Sequence, residues 1–367
     1  MKITKVEAIP FSIPYRKPLR FASGEVHAAE HVLVRVHTSD GVTGVAEATP
    51  RPFTYGETQA GIVAVIEQIF APQILGLVLL QREIAWSRLQ RTVGNPSAKS
   101  AIDMAMWDAL GRTLGHHVTS LLGGFTDRMR VCHMLGFEEP ARMVAEAERM
   151  RDTYGIRTFK VKVGRSPATL DTASVRALRD RFGDEIELYV DGNRGWSASE
   201  ALRAMREMAD LGLTFAEELC PADDVLSRRW LVSNLDLPFI ADESATTPAE
   251  VTREILSGAA TAVSVKCART GFTQSQRVHD LAEGLGVEVV MGNQIDGQLG
   301  TACTAAFGSA FRLTSQRAGE LSNFLDMSDD LLAEPLVISD GELTIGSGPG
   351  ISAGIDEEKL ARYRLDR

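Results

Sequence analysis

Between about residue 128 and residue 325, short apolar runs alternate with longer segments whose apolar residues recur every three or four positions. The runs F-K-V-K, I-E-L-Y-V-D, L-T-F-A-E-E, L-P-F-I-A-D and T-A-V-S-V-K read as buried parallel strands, rich in Val, Ile, Leu and Phe. The segments between them, such as A-R-M-V-A-E-A-E-R-M-R and S-A-S-E-A-L-R-A-M-R-E-M-A, carry helical periodicity, and Ser197 with Glu200 forms a capping-box signature. Each strand run closes on an ionisable residue: Lys162, Asp191, Glu217, Asp242 and Lys266, separated by 24 to 29 residues. That interval is one strand plus one helix of a barrel of roughly 250 residues. The same period reaches back to His133 and forward to Asn293 and Glu320, which makes eight strands. In such a barrel the C-terminal strand ends share one rim, so three carboxylates and two lysines are predicted to meet there.

The flanks read differently. Residues 1 to about 50 predict antiparallel strands, with K-I-T-K-V-E-A-I-P-F-S-I, H-V-L-V-R-V-H-T and G-V-T-G-V-A-E-A joined in part by a Ser39-Asp40-Gly41 turn. Lys17 to Glu30, with Ser23-Gly24 at its middle, and Thr49 to Gly56 are expected to be exposed loops beside a rigid scaffold. Helices are expected over Glu57–Phe70, Gln81–Val93 and Ser97–Leu114, the last apolar on most faces and therefore buried. L-V-I-S-D-G-E-L-T-I predicts a final hairpin around Asp340-Gly341, expected to return to the N-terminal sheet.

At 367 residues the chain exceeds one barrel, and two domains are expected: 1–127, with 326–367 packing back on it, and 128–325. The net charge of −10 argues against a nucleic-acid partner, and no apolar stretch is long enough for a membrane span. Cys132, Cys220, Cys267 and Cys303 form no CxxC pair, which points to reduced, packed thiols in a cytoplasm.

Three carboxylates with no histidine or cysteine among them are hard oxygen ligands that suit Mg2+ or Mn2+ better than zinc. Lys162 and Lys266 lie on the strands flanking the carboxylate strands, and are expected to face each other with a lowered pKa and to move a proton. Lys160 falls on the same side of its strand as Lys162, one layer deeper, and is expected to hold Lys162 in place. Glu243 follows Asp242 and points the other way along the strand, which leaves metal ligation and a supporting hydrogen bond equally open. Such a set suits proton movement on the carbon beside a carboxylate, through an enediolate. A non-catalytic metal-binding protein has no use for opposed lysines, and a metal-dependent hydrolase would want a water-activating base.

K-V-K-V-G at 160–164, V-D-G-N at 190–193, A-E-E at 216–218, A-D-E-S at 241–244 and S-V-K at 264–266, together with A-I-D-M-A-M-W-D-A-L-G before the barrel, resemble the muconate-lactonizing subgroup of the enolase superfamily. The resemblance covers the whole chain. It implies an α/β fold, a (β/α)7β modified TIM barrel with an N-terminal α+β capping domain whose two loops close over the site. It also implies Mg2+ or Mn2+ on Asp191, Glu217 and Asp242, and Lys162 and Lys266 as the acid/base pair, with Lys160 and Glu320 beside them. Cycloisomerases, dipeptide epimerases and o-succinylbenzoate synthases share this machinery. R-F-A-S-G-E-V-H-A-A-E-H, A-T-P-R-P-F-T-Y-G-E and M-G-N-Q-I-D-G-Q-L-G-T-A are similar to the cycloisomerase branch, while Leu321-Ser322-Asn323 stands where dipeptide epimerases carry Asp-x-Asp. Leu219 and M-G-N-Q depart from the commoner family sequence. The implied substrate is a small dicarboxylate, held by His27, Arg51 and Tyr55 of the capping loops with Asn193 and Asn293 at the strand ends. The implied assembly is a homo-oligomer, an octamer in many members of the family.

Overall fold

The computed structural model describes residues 1–21 and 24–366. Strands β1 (Ile3–Phe21), β2 (Gly24–Thr38) and β3 (Thr43–Ala48) form an antiparallel sheet in the order β1-β2-β3. The sequence reading of Lys17–Glu30 as a loop is corrected: after a register shift beyond Pro14 the two strands pair again at Leu19 with Val26 and at Arg20 with Glu25. Leu19 is buried, so the apolar side of this extension has a surface to cover. Ser23 lies outside the described residues.

The helix Pro96–Leu114 is the keystone between the sheet and the rest of the molecule, buried along most of its length. Gly44 of β3 passes so close that a Cβ there would sit 2.0 Å from the Ala105 carbonyl oxygen. Asp108 accepts hydrogen bonds from the backbone N–H groups of Val45 (2.8 Å) and Ile351 (2.7 Å), and Asp103 accepts from Thr273 (2.9 Å) in the barrel helix Cys267–Leu285. The A-I-D-M-A-M-W-D stretch thus supplies two buried carboxylates that join three parts of the chain. The expected second helix is shorter than its periodicity suggested, Arg82–Leu89.

Eight strands then run in parallel: β4 (Arg128–Leu135), β5 (Thr158–Lys162), β6 (Glu187–Asp191), β7 (Leu213–Glu217), β8 (Phe239–Ala241), β9 (Ala262–Val265), β10 (Glu288–Met291) and β11 (Gly319–Glu320). They pair in chain order from β4 to β10, and β11 returns to pair with β4. A helix follows each strand from β4 to β10, whereas β11 leads directly into the short 3-10 turn Asn323–Asp326 and then the C-terminal tail. The eight strands are those that the spacing predicted, and the modified barrel is the one that the resemblance implied. The capping box on Ser197 and Glu200 is formed as expected.

The C-terminal hairpin, β12 (Ile338–Ser339) and β13 (Glu342–Thr344), does not return to the N-terminal sheet. It pairs with Arg128–Arg130 at the start of β4, ahead of the residues that β11 covers, and so shields an otherwise open strand edge. Other parts of the tail do reach β1, through Met327 with Tyr15 and Arg364 with Phe11. Among the described residues, no helix is long and apolar enough to cross a membrane.

Candidate active site

Parallel pairing places the ionisable strand ends side by side. Lys162 is in register with Asp191, and Asp191 with Glu217, while Asp242 and Lys266 are the first residues beyond β8 and β9. Asp191, Glu217 and Asp242 are completely buried. Each is turned onto an ammonium. Lys162 Nζ donates to Asp191 Oδ2 (2.5 Å) and Asn193 Oδ1 (2.6 Å), and Lys266 Nζ to Asp242 Oδ2 (2.6 Å). Lys160, 1 % exposed, lies among Asp191 (2.9 Å), Glu217 (3.0 Å) and Glu320 (2.7 Å).

Above this floor is a cavity lined by Lys160, Lys162, Lys266 and Glu320 from the barrel and by Arg51 and Tyr55 from the capping loop; Asn193 and Asn293 also line it. His27 does not. It is 73 % exposed, stands 3.7 Å from Glu25, and faces an outer vestibule shared with Arg51 and Ile295. The extra strand pairing of β2 at Val26 places it at this vestibule, outside the cavity that holds Arg51 and Tyr55. His133 pairs in register with Phe159 rather than with the lysine positions, so its ring turns to the other side of the strand while the residue still borders the cavity. Its ring nitrogens meet Ser322 (2.8 Å) and Glu146 (3.1 Å).

Burial alone would lower both Lys160 and Lys266. The carboxylates more than reverse it: Asp191, Glu217 and Glu320 raise Lys160 well above the usual lysine range, and Asp242 raises Lys266. Glu217 shows the opposite balance, pushed well up by burial and by Asp191 and Glu320 despite the facing ammonium of Lys160.

Several residues that the strand-end pattern did not reveal complete the site. Arg269 donates to Asp242 Oδ1 (2.7 Å) and to the Tyr55 hydroxyl (2.9 Å), so the Tyr55 proton is left to point elsewhere. Glu218 Oε2 accepts from the N–H groups of Asp242 (2.8 Å) and Ser244 (3.1 Å), bracing the Asp242 turn; burial, then Glu243, pushes its carboxyl up to about 8. Glu243 accepts from Asn193 (3.2 Å), a contact of the supporting kind that was one of its two open roles. Gly292 leaves room for Lys266: a Cβ there would lie 2.4 Å from Ser264 Oγ and 2.7 Å from Lys266 Cε. Gly292→Ala is therefore expected to push Lys266 off Asp242. Turnover should drop about 10- to 100-fold with little loss of thermal stability, read by steady-state kinetics beside calorimetry.

The donor set fits a hard divalent cation. All three acidic groups are oxygen donors on adjacent strands, and Glu217 Oε2 is buried with no hydrogen-bond partner. Among the described residues no three of the acidic, histidine or cysteine side chains are gathered as a cage; Lys160, Lys162 and Lys266 each hold one carboxylate oxygen, of Glu217, Asp191 and Asp242 respectively.

Comparison with known proteins agrees in both halves of the chain. Residues 4–123 match the mandelate racemase/muconate lactonizing enzyme N-terminal domain, and residues 142–359 match the enolase C-terminal domain-like family. The muconate lactonizing enzyme from Mycobacterium smegmatis, crystallised with muconolactone, is 74% identical over 100% of both chains with a TM-score of 0.98. Muconate cycloisomerase 1 of Pseudomonas putida is 33% identical over 98% of each chain. L-Ala-D/L-Glu epimerase of Bacillus subtilis is 31% identical over 85% of this chain and 86% of its own. With both halves of the chain matched by the family's domains and full-length relatives above 30% identity, the chain belongs to the mandelate racemase/muconate lactonizing enzyme family of the enolase superfamily.

Proposed function

We propose that the chain is a muconate cycloisomerase, closing cis,cis-muconate to muconolactone. The observation that carries this reading is full-length similarity, at 74% identity, to an enzyme crystallised with that lactone. The site chemistry supports it. One carboxylate oxygen of the substrate adds across the distal double bond, the electron pair moves toward the other carboxylate as an enediolate, and the Lys162 ammonium delivers the proton that completes the lactone. In the reverse direction Lys162 is the base. Lys266, on the opposite strand of the set, stabilises the developing negative charge, and Arg51 and Tyr55 close the cavity from the capping loop. Asp191, Glu217 and Asp242 would hold Mg2+ or Mn2+, which when bound supplies Lewis-acid stabilisation of a substrate carboxylate.

Lys160, Lys162, Lys266 and Arg269 each touch at least one of Asp191, Glu217, Asp242 and Glu320, and such a concentration of cationic groups suits a dianionic substrate. The four free, buried cysteines accord with a reducing cytoplasm, and a closed homo-oligomer, an octamer, is the assembly we expect.

The test is the loss of the conjugated-diene absorbance of cis,cis-muconate on adding protein with Mn2+, with and without a chelator. Rapid, chelator-sensitive loss is the expected result. No loss, together with deuterium exchange into a dipeptide, would replace this reading with epimerase activity.

A further inference from the structure

Beyond β10 the chain runs through Asn293, Gln294, Ile295 and Asp296 before entering the helix Gln298–Gly308. Gln294 is 3 % exposed and lines the same cavity as Lys162 and Lys266, yet neither its amide nitrogen nor its amide oxygen has a hydrogen-bond partner. Which end is nitrogen is immaterial here, since both are unpaired. Asn293 adds a third unpaired atom. Its Oδ1 accepts the Asp296 N–H (3.0 Å), which fixes the side chain and leaves a buried, unpartnered NH2 group lining the cavity. Buried polar atoms without partners are costly and uncommon, and neighbouring ones facing one cavity point to a ligand.

The loop is also strained. Ile295 has φ +63°, a left-handed conformation that a β-branched side chain strongly disfavours. It is held there from both sides. Asn323 reaches the Asp296 carbonyl (3.4 Å), and Glu47 of the capping sheet accepts from the N–H groups of Gly297 (2.8 Å) and Gly300 (2.9 Å). The restraint fixes the direction in which Asn293 and Gln294 present their amides. Ile295 itself stands between the cavity and the outer vestibule, lining both.

We propose that Gln294, with the Asn293 amide, is the seat for the substrate carboxylate that does not reach the acidic centre, and sets a preference for dicarboxylates over monocarboxylates. The proposal rests on the dicarboxylate reading above. Amide donors suit the task because they bind a carboxylate without adding a further charge to a site already crowded with acids and cations. The unpaired amide atoms of Gln294 and Asn293 make no hydrogen bond to a lysine of that site.

The experiment uses the Mn2+-loaded enzyme and two unreactive probes, adipate and hexanoate, which differ by one carboxylate. For Gln294→Leu the KM for cis,cis-muconate should rise about 10- to 100-fold while kcat stays within about threefold, and the preference for adipate over hexanoate should fall by a similar factor. Gln294→Glu, which sets a like charge against the carboxylate, should raise KM further, and serves if the leucine variant does not fold. Calorimetric melting reports on folding. An unchanged KM with an unchanged adipate preference overturns the proposal, as does a loss confined to kcat. A wild-type protein that binds adipate but leaves muconate untouched would refute the muconate reading, and the adipate preference of the variants would still decide the role of Gln294.

Discussion

Lys162→Ala is expected to lower kcat by about a thousandfold, with KM for cis,cis-muconate little changed. The Lys162 ammonium sits at the end of β5, pinned between Asp191 Oδ2 (2.5 Å) and Asn193 Oδ1 (2.6 Å), and it lines the cavity. Its neighbour cannot take over the task, because Lys160 is committed to Asp191, Glu217 and Glu320 within 3.0 Å. Divalent-cation binding gives the second readout. With the ammonium gone, Asp191 Oδ2 loses one competing partner, so calorimetric affinity for Mn2+ should hold or rise while turnover collapses. Unchanged turnover would remove Lys162 from the chemistry, and parallel loss of turnover and cation binding would make it a structural counter-ion only.

The strand period made the centre legible because parallel strands convert equal spacing along the chain into adjacency in space. Lys162, Asp191, Glu217, Asp242 and Lys266 needed nothing more than that rule. His133 escaped it, since β4 runs on to Leu135 and a one-residue offset sends a side chain to the other face of a strand. Turn chemistry was equally readable at Asp340-Gly341, yet the partner of that hairpin was not: a strand edge left open at Arg128–Arg130 exists only once the barrel has closed. The residues that serve the centre from a distance were hidden for the same reason. Arg269 links Asp242 to Tyr55, more than 200 positions earlier in the sequence, and no local pattern records such a bond. Gln294 has the opposite signature, an absence of partners, which a sequence cannot display. The left-handed Ile295 beside it is just as silent, since glycine is the residue that a sequence reader looks for there.

Glu217→Gln should separate stability from activity. Glu217 is completely buried, Lys160 meets only its Oε1, and its Oε2 has no partner among the described residues. Asp191 and Glu320 crowd the same ammonium, so this third carboxylate adds like-charge repulsion in a site from which water is excluded. A glutamine keeps the shape, can still accept from Lys160, and removes the charge. The cation-free variant is therefore expected to melt at a temperature equal to or above that of the cation-free parent. Its affinity for Mn2+ should fall by more than about 100-fold, since replacing groups that merely support a metal ligand already costs 10- to 100-fold. Turnover should fall with it and recover in part at high Mn2+. Calorimetry without cation, titration with Mn2+ and kinetics across Mn2+ concentration measure the three quantities independently. A variant that melts lower and binds Mn2+ as tightly as the parent would make Glu217 a packing residue, whereas gain in stability with loss of cation binding is what a carboxylate kept in place for a divalent cation requires.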